Sequence, residues 1–300
     1  MTTPDQATPA GQQTPPHCYR HPDRETWVSC VRCERYACPD CMRAASVGQQ
    51  CVECVGEGAR STRQARTTFG GRPVTSAVVT WTLVAINVAV FLVAWVRPGI
   101  VNDLALFGYA QYVPGGPWHG IAAGEWYRLI TSAFVVPGAG LSGLGFVDIL
   151  FNMWALIFVG PALEGLLGRA RFLAVYLLSA VGGAVMYYYL AAPNQLAAGA
   201  SGAIYGLFGA WFVVSRRLRL DTRGIVALIA INLVISFAWH AIAWQAHIGG
   251  LLTGALLTAA YAYAPRSNRT AIQVSATVAV MALIGVAVAV RTGQLTGGSF

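Results

Sequence analysis

The chain has 300 residues, of which 56% are hydrophobic and only 11% charged, and its mean hydropathy is +0.54. About a quarter of a soluble domain is normally charged, so an ordinary soluble enzyme is excluded and a membrane protein is indicated. The net charge is +8 and all 20 basic residues are Arg, which removes Ser-Lys dyads, Schiff bases and phosphate-loop lysines from consideration.

Charge is unevenly spread, with 16 of the 32 Asp, Glu, Lys and Arg residues lying in residues 1–73. A polar head therefore precedes an apolar body. Residues 1–16, rich in Thr, Pro and Gln, read as a disordered N-terminus and not as a cleavable signal peptide, because they hold no apolar core. All seven cysteines follow, as Cys18-x2-His21, Cys30-x2-Cys33, Cys38-x2-Cys41 and Cys51-x2-Cys54. A two-residue spacer lets both side chains of a pair point at one ion, so residues 17–56 are expected to form a small finger domain with two tetrahedral zinc sites. The zinc is structural on this reading, since four protein ligands leave no open position for chemistry. A disulfide framework is the competing reading. Against it stand the odd number of cysteines, the histidine in register and the cytosolic placement argued below. His17, beside Cys18, is a weaker alternative ligand. The interleaved pairs resemble a B-box-type finger, and that resemblance implies that the first and third pairs share one zinc and the second and fourth the other. The B-box family usually ends in histidines, whereas this chain has Cys51 and Cys54. Roughly 40 residues cannot build a stabilising apolar core, so metal would supply much of the folding free energy. Residues 57–73, with Arg60, Arg63, Arg66 and Arg72, read as a basic linker facing anionic headgroups. No nucleic acid is expected as a partner, because no stacking aromatics surround these arginines.

Seven apolar segments long enough to be candidate membrane spans follow, near 75–95, 148–167, 172–191, 200–215, 224–240, 245–264 and 271–290. Gly and polar residues interrupt several of them, which argues for contact with other helices more than with lipid. Placing the head inside puts Arg169, Arg171, Arg216, Arg217, Arg219, Arg223, Arg266 and Arg269 on the cytoplasmic side, and leaves Arg97, Arg128 and Arg291 outside. The positive-inside rule then sets the N-terminus in the cytosol and the C-terminus outside a cell membrane. The first external connection, roughly 96–147, carries Trp118, Trp126, Tyr127 and many glycines and is too long for a tether. Its aromatics beside Arg128 suit the outer interface, where plain anchoring would also place them.

Polar groups inside a bilayer are rare and usually face other helices or a water-filled cavity. Two stand out. Ser201 sits in Gly199-Ala200-Ser201-Gly202 at the outer end of the fourth span, and His247 in Ala246-His247-Ile248-Gly249-Gly250 at the outer end of the sixth. Both enter from one face within a turn or two, so they can meet at one depth. Gly202 and Gly206, and Ala246, Gly250 and Gly254, repeat every four residues and would let the two helices approach closely. Taken alone, such a serine is as readily a helix cap and such glycines are simple packing. A serine hydroxyl needs a base, which imidazole supplies near neutral pH before returning the proton to a leaving amine. No carboxylate accompanies His247 in its helix, so a dyad is expected. Tyr205, one turn from Ser201, could orient or stack on the imidazole or serve as a core aromatic.

The ordered set Gly199-Ala200-Ser201-Gly202 with Tyr205, Ala246-His247 with Gly249, Gly250 and Gly254, Glu125-Trp126-Tyr127-Arg128, Phe151-Asn152-Met153-Trp154 and Gly160-Pro161-Ala162-Leu163-Glu164 resembles the signatures of rhomboid intramembrane serine proteases over about residues 75–265. The resemblance implies an all-α, polytopic membrane helix bundle, with a six-helix core at 74–265 and an added seventh helix at 270–291. It also implies cleavage of transmembrane segments of membrane-protein substrates, with small residues beside the cut and a Gly- or Pro-weakened helix. Ser201 would attack, His247 would act as base then acid, and the Ser201 N–H and the Asn152 amide would receive the oxyanion. Family members commonly carry histidine four residues before that asparagine, and here the position is Asp148. An ionised Asp148 would oppose an oxyanion, a protonated one could donate to it, and either could bear on the His247 imidazolium. Glu164 is more simply a buried hydrogen-bonding group. The alternative to an active protease is a catalytically impaired relative binding membrane clients through the same cleft. A solute transporter is a third reading, disfavoured because the polar residues cluster toward one face. The zinc head would recruit a client or regulator protein.

Overall fold

A computed structural model describes residues 14–61, 66–138, 143–239 and 242–297. The chain divides into two compact units, Met1–Ala65 and Arg66–Phe300. Most of the expected N-terminal disordered stretch, Arg63 of the linker and residue 240 at the end of the fifth candidate span lie outside the described residues.

The first unit is built from two short hairpins and a helix. β1 (His17–Cys18) pairs antiparallel with β2 (His21–Glu25), and β3 (Met42–Ala45) with β4 (Gly48–Cys51), which runs directly into α1 (Val52–Ser61). Among the described residues, the buried core of this unit consists of Cys18, Cys30, Cys38, Cys41, Cys51 and Cys54 with Ala37 and Met42, and Tyr19 and Cys33 pack against it. So few apolar side chains leave the thiols as the principal buried material, as expected for a domain too small to fold on hydrophobic burial alone.

The second unit is a helical bundle. Its long helices are α2 (Val78–Val96), α5 (Leu144–Leu167), α6 (Arg169–Leu190), α7 (Ser201–Leu218), α8 (Arg223–Ala238), α9 (Trp244–Tyr263) and α10 (Arg269–Thr296), and the short α3 (Ile100–Leu104) and α4 (Arg128–Thr131) lie in the connection after α2. All seven segments read from hydropathy are helical. Four of them, α2, α5, α6 and α10, are long and apolar enough to cross a membrane by length and composition. With α7 to α9 packed among them, this is a multi-pass membrane protein. On α5, Phe151, Trp154 and Phe158 are exposed while Asn152, Leu156 and Leu163 are buried. A helix that is apolar on both faces suits lipid outside and protein inside.

Three helices form the tight centre. A Cβ added at Gly183 of α6 would lie 2.6 Å from the Ala246 carbonyl oxygen of α9. One at Gly209 of α7 would lie 2.5 Å from the Leu251 carbonyl oxygen of α9. Gly250 faces Gly202, and Gly254 faces Gly206, at backbone contact. The four-residue repeats therefore do bring α7 and α9 together. On α8, by contrast, only Ile225 and Ser236 are buried.

Glu164, fully buried, ties α5 to α2. Its Oε1 accepts from the Val79 N–H at 3.1 Å, and its Oε2 accepts from the Thr80 N–H and hydroxyl, both at 2.8 Å. It thereby caps the first turn of α2, whose own N-cap residue Ala77 has no side chain to do so. It is the buried hydrogen-bonding group expected from the sequence.

The long connection carries a small sheet of β5 (Ala110–Gln111) and β6 (Trp118–His119) besides its two helices. It is anchored from within by Arg128, which is only 2% exposed despite its charge. Its guanidinium donates to the carbonyls of Asn102 and Ala105, both at 2.7 Å, and to the Glu125 carboxylate at 2.6 Å. Glu125 also accepts the Gly120 N–H at 2.6 Å and meets His119 Nδ1 at 3.0 Å. Burial alone would raise the Glu125 carboxyl; the donors Arg128, His119 and Gly120 outweigh it and hold it below the usual range. Trp126 and Tyr127 remain exposed, which suits the expected interfacial position.

Candidate active site

The site lies where α7 and α9 both begin. Gly199, at φ +129°, makes the sharp entry into α7, a conformation open to glycine but costly for side-chain-bearing residues. Its N–H donates to the Ser132 carbonyl at 2.9 Å, pinning the turn against the long connection. Ser201 then stands in the first turn of α7, and His247 in the first turn of α9. The imidazole Nε2 is 2.8 Å from Ser201 Oγ. His247 is only 5% exposed. The Tyr205 ring stacks on the imidazole, with centroids 4.1 Å apart and planes 11° apart, so of its two expected roles the stacking one is what the geometry displays.

A cavity of about 30 Å³ opens beside Ser201 among Leu106, Ser132, Ala180, Ala184, Gly199 and Gly202. It is wide enough for a small side chain or one or two waters, and its walls are mainly small and apolar.

Asp148 and Asn152 share one face of α5 near this mouth. A Cβ at Gly199 would meet Asp148 Oδ2 at 3.3 Å and Ser201 Oγ at 3.9 Å, so carboxylate and hydroxyl flank the same space. The Asn152 amide donates to the Asp148 carbonyl at 2.9 Å and to its Oδ1 at 3.0 Å. In this geometry the expected oxyanion donor is engaged by its own neighbour one turn away. The remaining imidazole nitrogen, Nδ1, faces Ser236 Oγ at 2.8 Å and not Asp148. Sequence reasoning missed Ser236, because one serine in the apolar run of α8 carries no spacing that distinguishes it from a helix-packing residue.

In the N-terminal unit the cysteines and His21 gather as two groups, Cys18, His21, Cys38 and Cys41, and Cys30, Cys33, Cys51 and Cys54, each with its ligand atoms within 4.8 Å of one another. The grouping is the interleaved one. His17 joins neither group. Tetrahedral zinc with Zn–S bonds of about 2.3 Å sets sulfurs about 3.8 Å apart. Cys33 and Cys51 Sγ lie 3.8 Å apart, and His21 Nδ1 lies 3.4 Å from Cys38 and Cys41 Sγ and 3.8 Å from Cys18 Sγ. The seven thiols are unbridged. The donor set and its spacing therefore fit two metal ions.

Comparison with known proteins bears on the bundle. Residues 123–266 match the model of the Rhomboid domain, a stretch that leaves the cysteine-rich unit outside it. YdcA, a rhomboid of Bacillus subtilis (strain 168), is 40% identical over 144 residues, covering 46% of this chain and 69% of that protein. The rhomboid protease GluP of the same organism is 33% identical over 186 residues, covering 60% of this chain but only 34% of its own length. The rhomboid protease AarA of Providencia stuartii is 26% identical over 226 residues, covering 64% and 75% of the two chains.

Proposed function

The chain belongs to the rhomboid family, and from that premise we propose that it is an intramembrane serine endopeptidase that cuts transmembrane segments of membrane proteins with Ser201 and His247. The observation that carries this reading is the 2.8 Å contact between Ser201 Oγ and His247 Nε2 at the start of two closely packed helices. On this mechanism Nε2 takes the hydroxyl proton as Oγ bonds to the scissile carbonyl carbon. The resulting oxyanion lies at the N-terminus of α7, where first-turn N–H groups lack intrahelical partners and the helix dipole favours negative charge. Asn152 releases Asp148 and turns toward the oxyanion; an aligned donor of this kind contributes about 3 kcal/mol to the transition state. Asp148 adds a donor only in its protonated form. The C–N bond then breaks as His247 gives its proton to the leaving amine, and a water deprotonated by the same imidazole hydrolyses the acyl-enzyme. The 30 Å³ cavity beside Ser201 suits a small side chain next to the cut or, in the hydrolytic step, the attacking water.

The head is assigned two structural zinc ions, one on Cys18, His21, Cys38 and Cys41 and one on Cys30, Cys33, Cys51 and Cys54. Bound zinc would fix the two hairpins and supply no catalysis. The arginine distribution supports a head in the cytosol and an active site toward the extracytoplasmic side of the cell membrane. A client or regulator protein is its partner on this reading.

Cleavage of a model transmembrane substrate in proteoliposomes tests the proposal. Product forms with the native chain and is absent with Ser201→Ala and with His247→Ala; equal cleavage by all three overturns the enzyme assignment. The Asn152–Asp148 pairing favours one second reading, a catalytically impaired relative that binds membrane clients, and a native chain that binds the substrate without cutting it selects that reading.

A further inference from the structure

Ser236 is the sole buried polar residue of α8, and its hydroxyl meets three groups. It donates to the Asn232 carbonyl at 2.7 Å, one turn back on its own helix. It lies 2.8 Å from His247 Nδ1 and 3.3 Å from the Tyr205 hydroxyl. A serine hydroxyl has one proton and two lone pairs. The carbonyl can only accept, so the proton is spent there, and toward Nδ1 the serine oxygen can only accept as well. Nδ1 must therefore carry hydrogen, which leaves Nε2 with its lone pair aimed at Ser201 Oγ. Tyr205 occupies the second lone pair of Ser236 with its phenol O–H while its ring holds the imidazole face.

We propose that Ser236 is a positioning residue that fixes the His247 tautomer and ring orientation, so that the working unit is Ser201–His247–Ser236 contributed by three helices. The inference rests on the protease reading above and adds a neutral third member in the place where a carboxylate orients histidine in Ser-His-Asp enzymes. The need is physical: the opposite tautomer would present an N–H to Ser201 and remove the base. When the imidazole becomes cationic in the transition state, the Nδ1–H bond to Ser236 becomes a charge-assisted one and strengthens.

The test measures kcat and KM for the model substrate in proteoliposomes with the native chain, Ser236→Ala, Ser236→Thr, Ser201→Ala and His247→Ala. Loss of a hydrogen bond to a charged group predicts a fall in kcat of roughly ten- to a hundredfold for Ser236→Ala with KM changed less than threefold, and recovery to within about threefold of native for Ser236→Thr, which keeps the hydroxyl. Labelling of Ser201 by a fluorophosphonate slows in parallel for Ser236→Ala. If Ser201→Ala and His247→Ala are inactive but Ser236→Ala retains native kcat, or if Ser236→Thr falls as far as Ser236→Ala, the positioning role is overturned while the protease reading stands. Cleavage by Ser201→Ala and His247→Ala would instead bring down the protease reading itself.

Discussion

Replacing Gly250 by alanine isolates how far reactivity depends on the approach of α7 and α9. The new methyl would overlap the Gly202 carbonyl oxygen and lie 2.7 Å from its carbonyl carbon, against 3.4 Å or more in ordinary contact. Relief is closed to rotamer change because the obstructing atoms are backbone. The helices must part by at least 0.7 Å to reach that separation. Added along the 2.8 Å line between Ser201 and His247, this carries the pair to at least about 3.5 Å, where hydrogen bonding is weak. A shift of this order at a reacting group costs about a hundredfold in rate, and general-base assistance as a whole is worth about 10²- to 10⁴-fold. Gly250→Ala should therefore cut kcat about a hundredfold in proteoliposome cleavage, with about 1–3 kcal/mol of stability lost to overpacking. Gly285→Ala is the control, since a Cβ there has no atom within 4 Å; it should cleave at the native rate. A folded Gly250→Ala that cleaves within threefold of native would refute the claim that backbone contact sets the dyad distance.

Two further outcomes concern the cap on α2 and the metal clusters. Glu164→Ala leaves the Val79 and Thr80 N–H groups and the Thr80 hydroxyl without their acceptor, and should cost about 3 kcal/mol in denaturant unfolding in detergent; a loss under about 0.5 kcal/mol would show that water or lipid headgroups replace the carboxylate. Protein purified under reducing conditions should contain about two zinc ions per chain. Changing Cys18 and Cys38 together to Ser should remove one ion, whereas changing Cys33 and Cys38 together should remove both, because the first two share a cluster and the second two do not; loss of both ions from the Cys18 and Cys38 variant would contradict the interleaving, and absence of zinc from the native chain would end the metal assignment.

What could be read without coordinates followed from two periodic signals. Hydropathy placed all seven helices, since a segment that must satisfy its backbone within lipid has little choice but to be helical. It misplaced helix ends where polarity and helicity part company. α5 begins at Leu144 and not near 148, and α10 continues to Thr296, past the apolar run that ends near 290. The extra turns carry Arg291, whose Nε donates to the Tyr188 carbonyl at 3.2 Å and whose guanidinium lies over the Tyr189 ring. Loss of apolarity marks a change of surroundings, and the backbone hydrogen bonds continue through it. The paired cysteines were equally legible, because a two-residue spacer is local geometry.

The site divides along the same line. Ser201 and His247 could be matched from sequence because each begins a helix on the same side and glycines at four-residue spacing open a path between them. Ser236 could not, since its meaning comes from α8 bringing one hydroxyl to Nδ1 while its proton is committed to Asn232, an arrangement that exists only in three dimensions. Asp148 is the intermediate case. Its one-turn distance from Asn152 was visible, and that distance allows either side chain to face Ser201; only the fold specifies that the amide turns back onto the carboxylate. On the proposed mechanism, an acceptor at 148, where the resemblance implies a histidine, does more than remove an oxyanion donor, because it also gives Asn152 an alternative partner. On the proposed mechanism the Asn152–Asp148 contact must break before an oxyanion can be received, so a substrate whose carbonyl competes poorly for that amide is expected to be turned over slowly even when it fits the cavity beside Ser201.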